Sequence, residues 1–163
     1  LGRLLSIPVE KLSERVKRLV DDTKTLKDEV RDLRAKITER EALDMLKDAE
    51  SVDGFKVIAA KVQDADIDTL KRITFTMTKQ DPSIVVVLGS TQKNAYLVGR
   101  AGSNALERGL SIADILREAA EVIDGAGGGK ADLAQAGGSG KDKLDLALKL
   151  CSEKIRERLG RRK

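Results

Sequence analysis

The chain has 163 residues, which suffices for one domain with its own core, or for a small domain with a helical appendage. It contains no histidine, no tryptophan, one cysteine and three aromatic residues. This composition excludes a Ser-His or Cys-His nucleophile pair, an imidazole metal site, a disulfide framework and a thiolate zinc cluster. Few aromatics also argue against an extended stacking platform for single-stranded RNA.

The net charge of +4 is concentrated at one end of the sequence. Residues 153–163 hold six basic and two acidic side chains, whereas residues 1–152 hold 25 of each sign. The longest stretch without charge, residues 82–92, is far shorter than the roughly 20 residues that span a bilayer. The first residues lack the apolar run of a signal peptide. We therefore expect a cytoplasmic protein without membrane contact, and the absence of an initiator Met indicates a fragment.

The first part of the chain carries a heptad repeat. Apolar residues and one threonine recur at alternating steps of three and four from Val9 to Ile37. Leucine occupies four successive d positions and β-branched residues occupy the a positions, which favours pairing of two helices. Asp22 and Lys27 are placed as a complementary pair if two copies run parallel. Helix-forming residues continue to Ala49.

A strict 3.5-residue period over four heptads favours a coiled coil over one amphipathic helix packed on its own domain. The partner helix belongs either to a second subunit or to the same chain, and the sequence leaves both open. The predicted dimer interface consists of the apolar residues of the repeat: Val9, Leu12, Val16, Leu19, Leu26, Val30, Leu33 and Ile37. The helical dimerisation subdomain is expected over residues 1–53, because residues 51–54 break the helix.

Residues 54–163 have the pattern of a compact α/β subdomain with a small mixed sheet. Strands are predicted at residues 55–62, 84–88 and 95–98. The polar turn between the last two contains Gly89, Ser90 and Asn94. Helices are predicted after the caps Asp66 and Ser111 and from about Lys141 onwards, with the threonine-rich residues 74–78 ambiguous. The predicted fold class is therefore α+β or α/β, with a long, coiled-coil-like helical subdomain followed by a compact globular α/β subdomain.

Seven of the fourteen glycines lie within residues 125–141, a predicted loop between the last two helices. Lys130 and Lys141 both lack the preceding glycine and the following Ser or Thr of a nucleotidase phosphate loop. The dinucleotide spacing also fails, because Asp132 stands where a third glycine belongs. A glycine backbone followed by a helix that begins with Lys141 and Lys143 is nevertheless a candidate phosphate site. The alternative is a flexible or tightly crossing connection, and composition alone does not decide between them.

The run Gly-Gly-Gly-Lys-Ala-Asp-Leu-Ala-Gln-Ala-Gly-Gly at residues 127–138 is more specific. It resembles the signature of the C-terminal domain of alanyl-tRNA synthetases, which is related to the accessory domain of DHH-family phosphoesterases. The resemblance covers residues 54–160, and the upstream heptads resemble the helical part that the family uses for dimerisation. Ala-Gln-Ala favours the synthetases, since the phosphoesterases usually have His-Lys there. The chain departs from the pattern at Ala126, where many relatives carry a basic residue.

This resemblance implies a module that contacts the outer corner of alanine-specific tRNA, joins two subunits and works beside the remaining synthetase domains. Aminoacylation and editing would occur in those other domains. The chain is then part of a ligase and has no catalytic, metal or cofactor site of its own. The alternatives are the accessory nucleic-acid-binding domain of a DHH-family phosphoesterase and that of a free-standing alanyl-tRNA editing hydrolase.

The resemblance assigns RNA contacts to Gly127, Gly128, Gly129, Lys130, Gln135, Gly137 and Gly138. On physical grounds we add phosphate contacts at Lys141, Lys143, Arg158, Arg161, Arg162 and Lys163. The Gln135 amide has an alternative role in bonding the loop backbone, and the basic tail an alternative role as a solvated helix end that suits the helix dipole. Contacts of this kind predict recognition of shape and a marked salt dependence.

Overall fold

The computed structural model describes residues 11–160, which form two compact units that divide between Ile37 and Thr38. The helices are α1 (Leu12–Asp44), α2 (Ile67–Gln80), α3 (Ser103–Glu107), α4 (Ile112–Val122) and α5 (Leu144–Gly160). The strands are β1 (Glu50–Val52), β2 (Phe55–Lys61), β3 (Ile84–Thr91), β4 (Ala95–Ala101), β5 (Gly125–Gly129) and β6 (Leu133–Gly138). Short 3₁₀ turns at Met45–Asp48 and Lys141–Lys143 precede β1 and α5.

The long N-terminal helix predicted from the heptads is confirmed as α1, which has 33 residues and is about 50 Å long at 1.5 Å per residue. Most of its side chains between residues 11 and 37 are exposed. Its last turns belong to the second unit. There Leu43, and Leu46 and Ala49 just after the helix, pack against the buried cluster that contains the apolar residues of α2. Within residues 11–160, no helix is long and apolar enough to cross a bilayer.

The predicted mixed sheet is also confirmed. Its six strands lie in the order β1-β2-β3-β4-β6-β5. Strands β2 and β3 are parallel, and every other neighbouring pair is antiparallel. A parallel pair needs a crossover, which α2 supplies between them. The apolar run predicted at residues 84–88 lies in β3, whose residues are buried up to Ser90, as expected for an inner strand.

Helices cover the sheet on both faces and create two separate cores. On one face α2 buries Leu70, Ile73 and Met77 against β3 and β4. On the other face α4 and α5 pack side by side over a larger cluster that includes Ile115 and Leu148. The apolar residues that recur at helical spacing in the sequence are therefore the ones that these helices bury. The open edge strand β5 leaves one part of the sheet without a helix on the α2 side.

Four local details differ from the sequence prediction. Residues 51–54 do not end the helix, which already stops at Asp44: Ser51 and Val52 belong to β1, and Asp53 and Gly54 at positive φ form the tight turn of a β1–β2 hairpin. Gly89 and Ser90 extend β3 instead of lying in the turn. The short helix α3 has no predicted counterpart. The glycine-rich segment is not a loop: it forms the hairpin β5–β6, in which residues 125–129 pair in antiparallel register with residues 134–138.

The threonine-rich end of α2 is helical to Gln80. The hydroxyl of Thr76 donates to the carbonyl of Arg72 at 3.0 Å, and that of Thr78 donates to the carbonyl of Thr74 at 3.1 Å. These bonds satisfy the hydroxyls within the helix, so the threonines do not end it. The Arg72 guanidinium also binds the Glu39 carboxylate at 3.0 Å, which joins the end of α1 to α2.

Asp66 caps α2 as the sequence predicts, because its carboxylate accepts from the amide of Thr69 at 2.8 Å. We expect Asp66→Ala to lower the free energy of unfolding by about 1 kcal/mol, the usual loss for an N-cap carboxylate. The matched control is Asp68→Ala, which removes an exposed carboxylate from the first turn and leaves the cap in place. Urea unfolding measures both, and equal losses would contradict the capping role.

Candidate nucleic-acid interface

The glycine-rich hairpin is the edge of the sheet, with β6 paired to β4 and β5 outermost. Its inner face lies against the backbone of α4. A Cβ at Gly127 would stand 3.0 Å from the carbonyl oxygen of Leu116, and one at Gly138 would stand 2.1 Å from that of Ile123. These two glycines therefore allow the helix and the hairpin to approach more closely than any side chain permits.

The outer face of the hairpin is open. Gly128, whose missing Cβ would meet no atom within 4 Å, lies opposite Gln135 in the register of β5 and β6. Gln135 is exposed, and its side chain forms no hydrogen bond with the described residues. The signature glycines thus divide by strand alternation into an inner set that packs and an outer set that faces solvent.

Lys130 lies at the tip of the hairpin and is exposed. Its amide bonds to the carbonyl of Leu133 at 2.8 Å, which closes the turn. No acidic side chain in residues 11–160 forms an ion pair with it. Its ammonium group is therefore available to an external anion, as the candidate phosphate contact requires.

Lys141 and Lys143 lie at the other end of the hairpin, before α5. The five residues of β5 separate the two ends by about 16 Å. Lys141 Nζ donates to the Gln92 carbonyl at 3.2 Å, and Lys143 Nζ binds Asp124 Oδ2 at 2.7 Å. The Asp124 carboxylate raises the pKa of Lys143 above its usual value.

A phosphate site at this helix start would need unpaired backbone amides, and most of them already have partners in the described structure. The amides of Gly140, Lys141 and Lys143 bond to the carbonyl oxygens of Ile123, Ser139 and Gly140, at 2.9, 2.9 and 3.2 Å. The chain forms a 3₁₀ turn here, so these amides are already hydrogen-bonded within the protein. An anion at this position would therefore be bound by lysine side chains and not by backbone amides.

The described part of the basic tail is used in internal ion pairs. Arg158 binds Glu118 at 3.3 Å and Asp114 at 3.9 Å, and Lys154 binds Glu118 at 2.8 Å. Asp114 lies in the first turn of α4, whose Ile112 amide bonds to the Ala131 carbonyl beside Lys130. Arg158 is therefore near the hairpin tip, on the face of the sheet that α4 and α5 cover. Arg161, Arg162 and Lys163 lie outside the described residues.

The predicted interface residues of α1 form one apolar stripe. Val16, Leu19, Leu26, Val30, Leu33 and Ile37 are between 41% and 59% exposed, although they are large and apolar. Leu12 is half-buried, and Val9 lies outside the described residues. The first unit contains no other helix within residues 11–37. The described part of this unit therefore leaves the stripe without an intramolecular partner helix.

Tyr96, Arg100 and Phe75 have no functional role predicted from the sequence. Tyr96 and Arg100 lie on β4 on the α2 side of the sheet, with the Arg100 guanidinium 5.3 Å from the Phe75 ring centre. Arg100 Nε is buried without a hydrogen-bond partner. The one feature of the sequence that could have indicated a role here is the charge of Arg100 within the otherwise uncharged strand β4.

Reactive groups are scarce in the described structure. Burial raises the pKa of the Cys151 thiol to about 12, so the nucleophilic thiolate is not populated near neutral pH. Among residues 11–160, no three His, Cys, Asp or Glu side chains come together in a way that could hold a metal ion.

Comparison with known proteins gives concordant matches. The alanine–tRNA ligase of Methanosarcina acetivorans is 32% identical over 156 residues, which cover 96% of this chain and 17% of that protein. The Bacillus subtilis enzyme is 33% identical over 145 residues, 88% of this chain and 16% of that protein. The chain thus spans less than a fifth of the length of these relatives.

The fold is similar to a solved structure, the C-Ala domain from Aquifex aeolicus alanyl-tRNA synthetase. The TM-score is 0.58 at 25% identity, and the match covers 69% of this chain and 98% of that domain. A family model described as DHHA1 domain matches residues 54–157. These findings confirm the resemblance carried by residues 127–138. The chain belongs to the DHHA1 domain family and is homologous to alanine–tRNA ligases.

Proposed function

We propose that this chain is the dimerisation and tRNA-binding C-terminal domain of an alanyl-tRNA synthetase, without catalysis of its own. It contacts the outer corner of alanine tRNA and joins two subunits in the cytoplasm, while the remaining synthetase domains carry out the chemistry. The observation that carries this proposal is the alignment of 96% of the chain, helix and globular unit together, with an alanine–tRNA ligase.

The hairpin supports an RNA-binding role through its shape and charge. Gly128 and Gly137 lie on its outer face and have no side chains, so a bulky nucleic-acid surface can approach the backbone closely. Lys130 at the tip has no acidic partner among the described residues. Such a surface binds mainly through phosphate and ribose, which gives recognition of shape and an affinity that falls with salt.

We expect Lys130→Ala to weaken binding of alanine tRNA about threefold and to reduce the slope of log K against log salt by about 0.7 to 0.9, the value for one phosphate contact. Fluorescence anisotropy with labelled tRNA, measured from low to moderate salt, gives both quantities. Lys149→Ala removes the same charge from the exposed face of α5 and serves as the matched control.

Binding of the unchanged chain that stays constant across this salt range would contradict a phosphate-based mechanism. An equal loss in the two lysine variants would place the effect in net charge instead of in the hairpin tip. Comparison of alanine tRNA with an unrelated tRNA measures how far recognition goes beyond the shared shape of all tRNAs.

The stripe on α1 supports the subunit-joining role. Its residues keep the 3.5-residue period along four heptads and stay exposed in the single chain. Exposed leucines at this spacing are typical of a helix that buries them against a second helix. Because the described part of the first unit offers no such helix, a second copy of the chain is the partner that fits best.

A further inference from the structure

A groove of 360 Å³ lies on the open part of the sheet, beside the start of α2. Its floor is the outer face of β5 and β6, formed by Ala126, Gly128, Gln135 and Gly137. Ile67 and Tyr96 form its walls. No helix covers this part of the sheet in the described structure, so the groove is accessible along its length.

Tyr96 lies against the glycine floor of the groove. It pairs with Gly137 across β4 and β6, and a Cβ at Gly137 would stand 3.5 Å from the Tyr96 ring. The ring therefore leans over the position where a side chain is missing, and it remains half-exposed. One ring face is supported by the backbone, and the rest of the ring borders the open groove. A planar aromatic ligand can stack there at little conformational cost, because the ring is already fixed.

Polar groups stand in line with this ring on the same face of the sheet. Gln135 lies opposite Val98, and Arg100 lies opposite Leu133 in the same register. The exposed Gln135 amide can both donate and accept a hydrogen bond. Arg100 is about 13 Å from Tyr96 along the strand, since it lies four positions further on. Its guanidinium packs on Phe75, its Nε has no partner, and no carboxylate among the described residues forms an ion pair with it.

We propose that this groove binds an unpaired nucleobase of RNA, stacked on Tyr96 with its edge at the Gln135 amide, and that Arg100 receives a phosphate further along the same strand. The proposal rests on the proposed tRNA-binding function and deepens it. An aromatic ring, a flat glycine floor, one amide and an unpaired guanidinium together match a base attached to a phosphodiester chain. The hairpin tip then supplies phosphate contacts, and the groove supplies a contact to a base.

Tyr96 itself reports on this contact, because it is the only tyrosine in a chain without tryptophan. We expect its emission to be quenched as alanine tRNA is added to the whole chain, in step with binding followed by anisotropy. Free N-acetyltyrosinamide at the same RNA concentrations corrects for light absorbed by the RNA. Tyr96→Leu is expected to raise Kd about tenfold, which is the loss of one stacked base.

Gly128→Leu separates stacking from nearby binding. Its side chain projects into the groove and meets no existing atom at Cβ, so it fills the groove without disturbing the core. We expect this variant to lose both the quenching and about tenfold in affinity while Tyr96 is retained. Gly160→Leu, at an equally open position on α5, is the matched control and should behave as the unchanged chain. Arg100→Met should lower the salt slope by about 0.7.

The outcomes distinguish this inference from the function on which it rests. If the unchanged chain binds no tRNA, the proposed function falls and the groove proposal falls with it. If the chain binds tRNA while Tyr96 emission stays constant and Gly128→Leu binds normally, the groove proposal is overturned and the proposed function stands. Quenching that Gly128→Leu removes and Gly160→Leu retains supports the groove.

Discussion

Gly138→Ala is expected to lower the free energy of unfolding of the globular unit by about 3 kcal/mol or more. The added Cβ would stand 2.1 Å from the Ile123 carbonyl oxygen and 2.9 Å from its Cγ1 atom. Ile123 is fully buried at the end of α4, and its carbonyl also accepts from the Gly140 amide at 2.9 Å. The helix end cannot retreat without breaking that bond and opening the core, so relief of the clash is costly.

Gly128→Ala is the matched control, because it adds the same methyl group to the same hairpin on its open face. No atom lies within 4 Å of that methyl position, so we expect no loss and a gain of up to about 0.5 kcal/mol from reduced chain entropy in the unfolded state. Urea unfolding followed by Tyr96 fluorescence reports on this unit in particular. Similar stabilities for the two variants would contradict the close approach of α4 and β6.

Leu26→Asp is expected to convert a dimer into a monomer at micromolar concentration. Leu26 occupies a d position of the heptad and is 59% exposed in the single chain. In a paired coiled coil this position is buried, so the substitution places a carboxylate from each subunit in an apolar seam, where charge is strongly disfavoured. Leu19→Asp tests the preceding d position in the same way. Light scattering measures the mass directly.

Thr25→Asp is the control for this experiment, because it adds the same charge one residue away at an outward c position of the heptad. Its mass should remain that of the unchanged chain. A dimer that survives Leu26→Asp would place the subunit contact on the globular unit, whereas a monomeric unchanged chain would contradict the dimerisation proposal. Circular dichroism checks that the globular unit of each variant stays folded, while a monomeric Leu26→Asp is expected to lose part of the α1 helical signal, because a helix without packing is marginal in water.

Much of the fold follows from local patterns in the sequence. The heptads predict α1, the cap Asp66 predicts the start of α2, and the apolar run at residues 84–88 predicts the inner strand β3. These predictions succeed because burial on one helical face or in an inner strand imposes a period or a run of its own. The glycine-rich segment has no side-chain period, so its strands could not be recognised in this way.

Pairing across the sheet decides what the glycine signature does. The motif at residues 127–138 identified the family from the sequence alone, yet it gave no reason to separate Gly138, which packs under α4, from Gly128, which faces the groove. That separation depends on the register of β5 and β6 and on the position of α4. For the same reason Lys130 and Lys141 appear close in sequence but lie at opposite ends of a hairpin.

The amino-acid sequence by itself determined the long heptad helix, the α/β character of the following unit, the family and the absence of histidine chemistry, because these are properties of composition and of local period. The tertiary structure alone decided how charges and aromatic rings are grouped. It pairs Arg158 and Lys143 with carboxylates of the same chain, and it leaves Lys130 and Arg100 without ion-pair partners among the described residues. It also brings Tyr96 to the open glycine floor. Such groupings arise from contacts between residues distant in sequence, which no local pattern encodes.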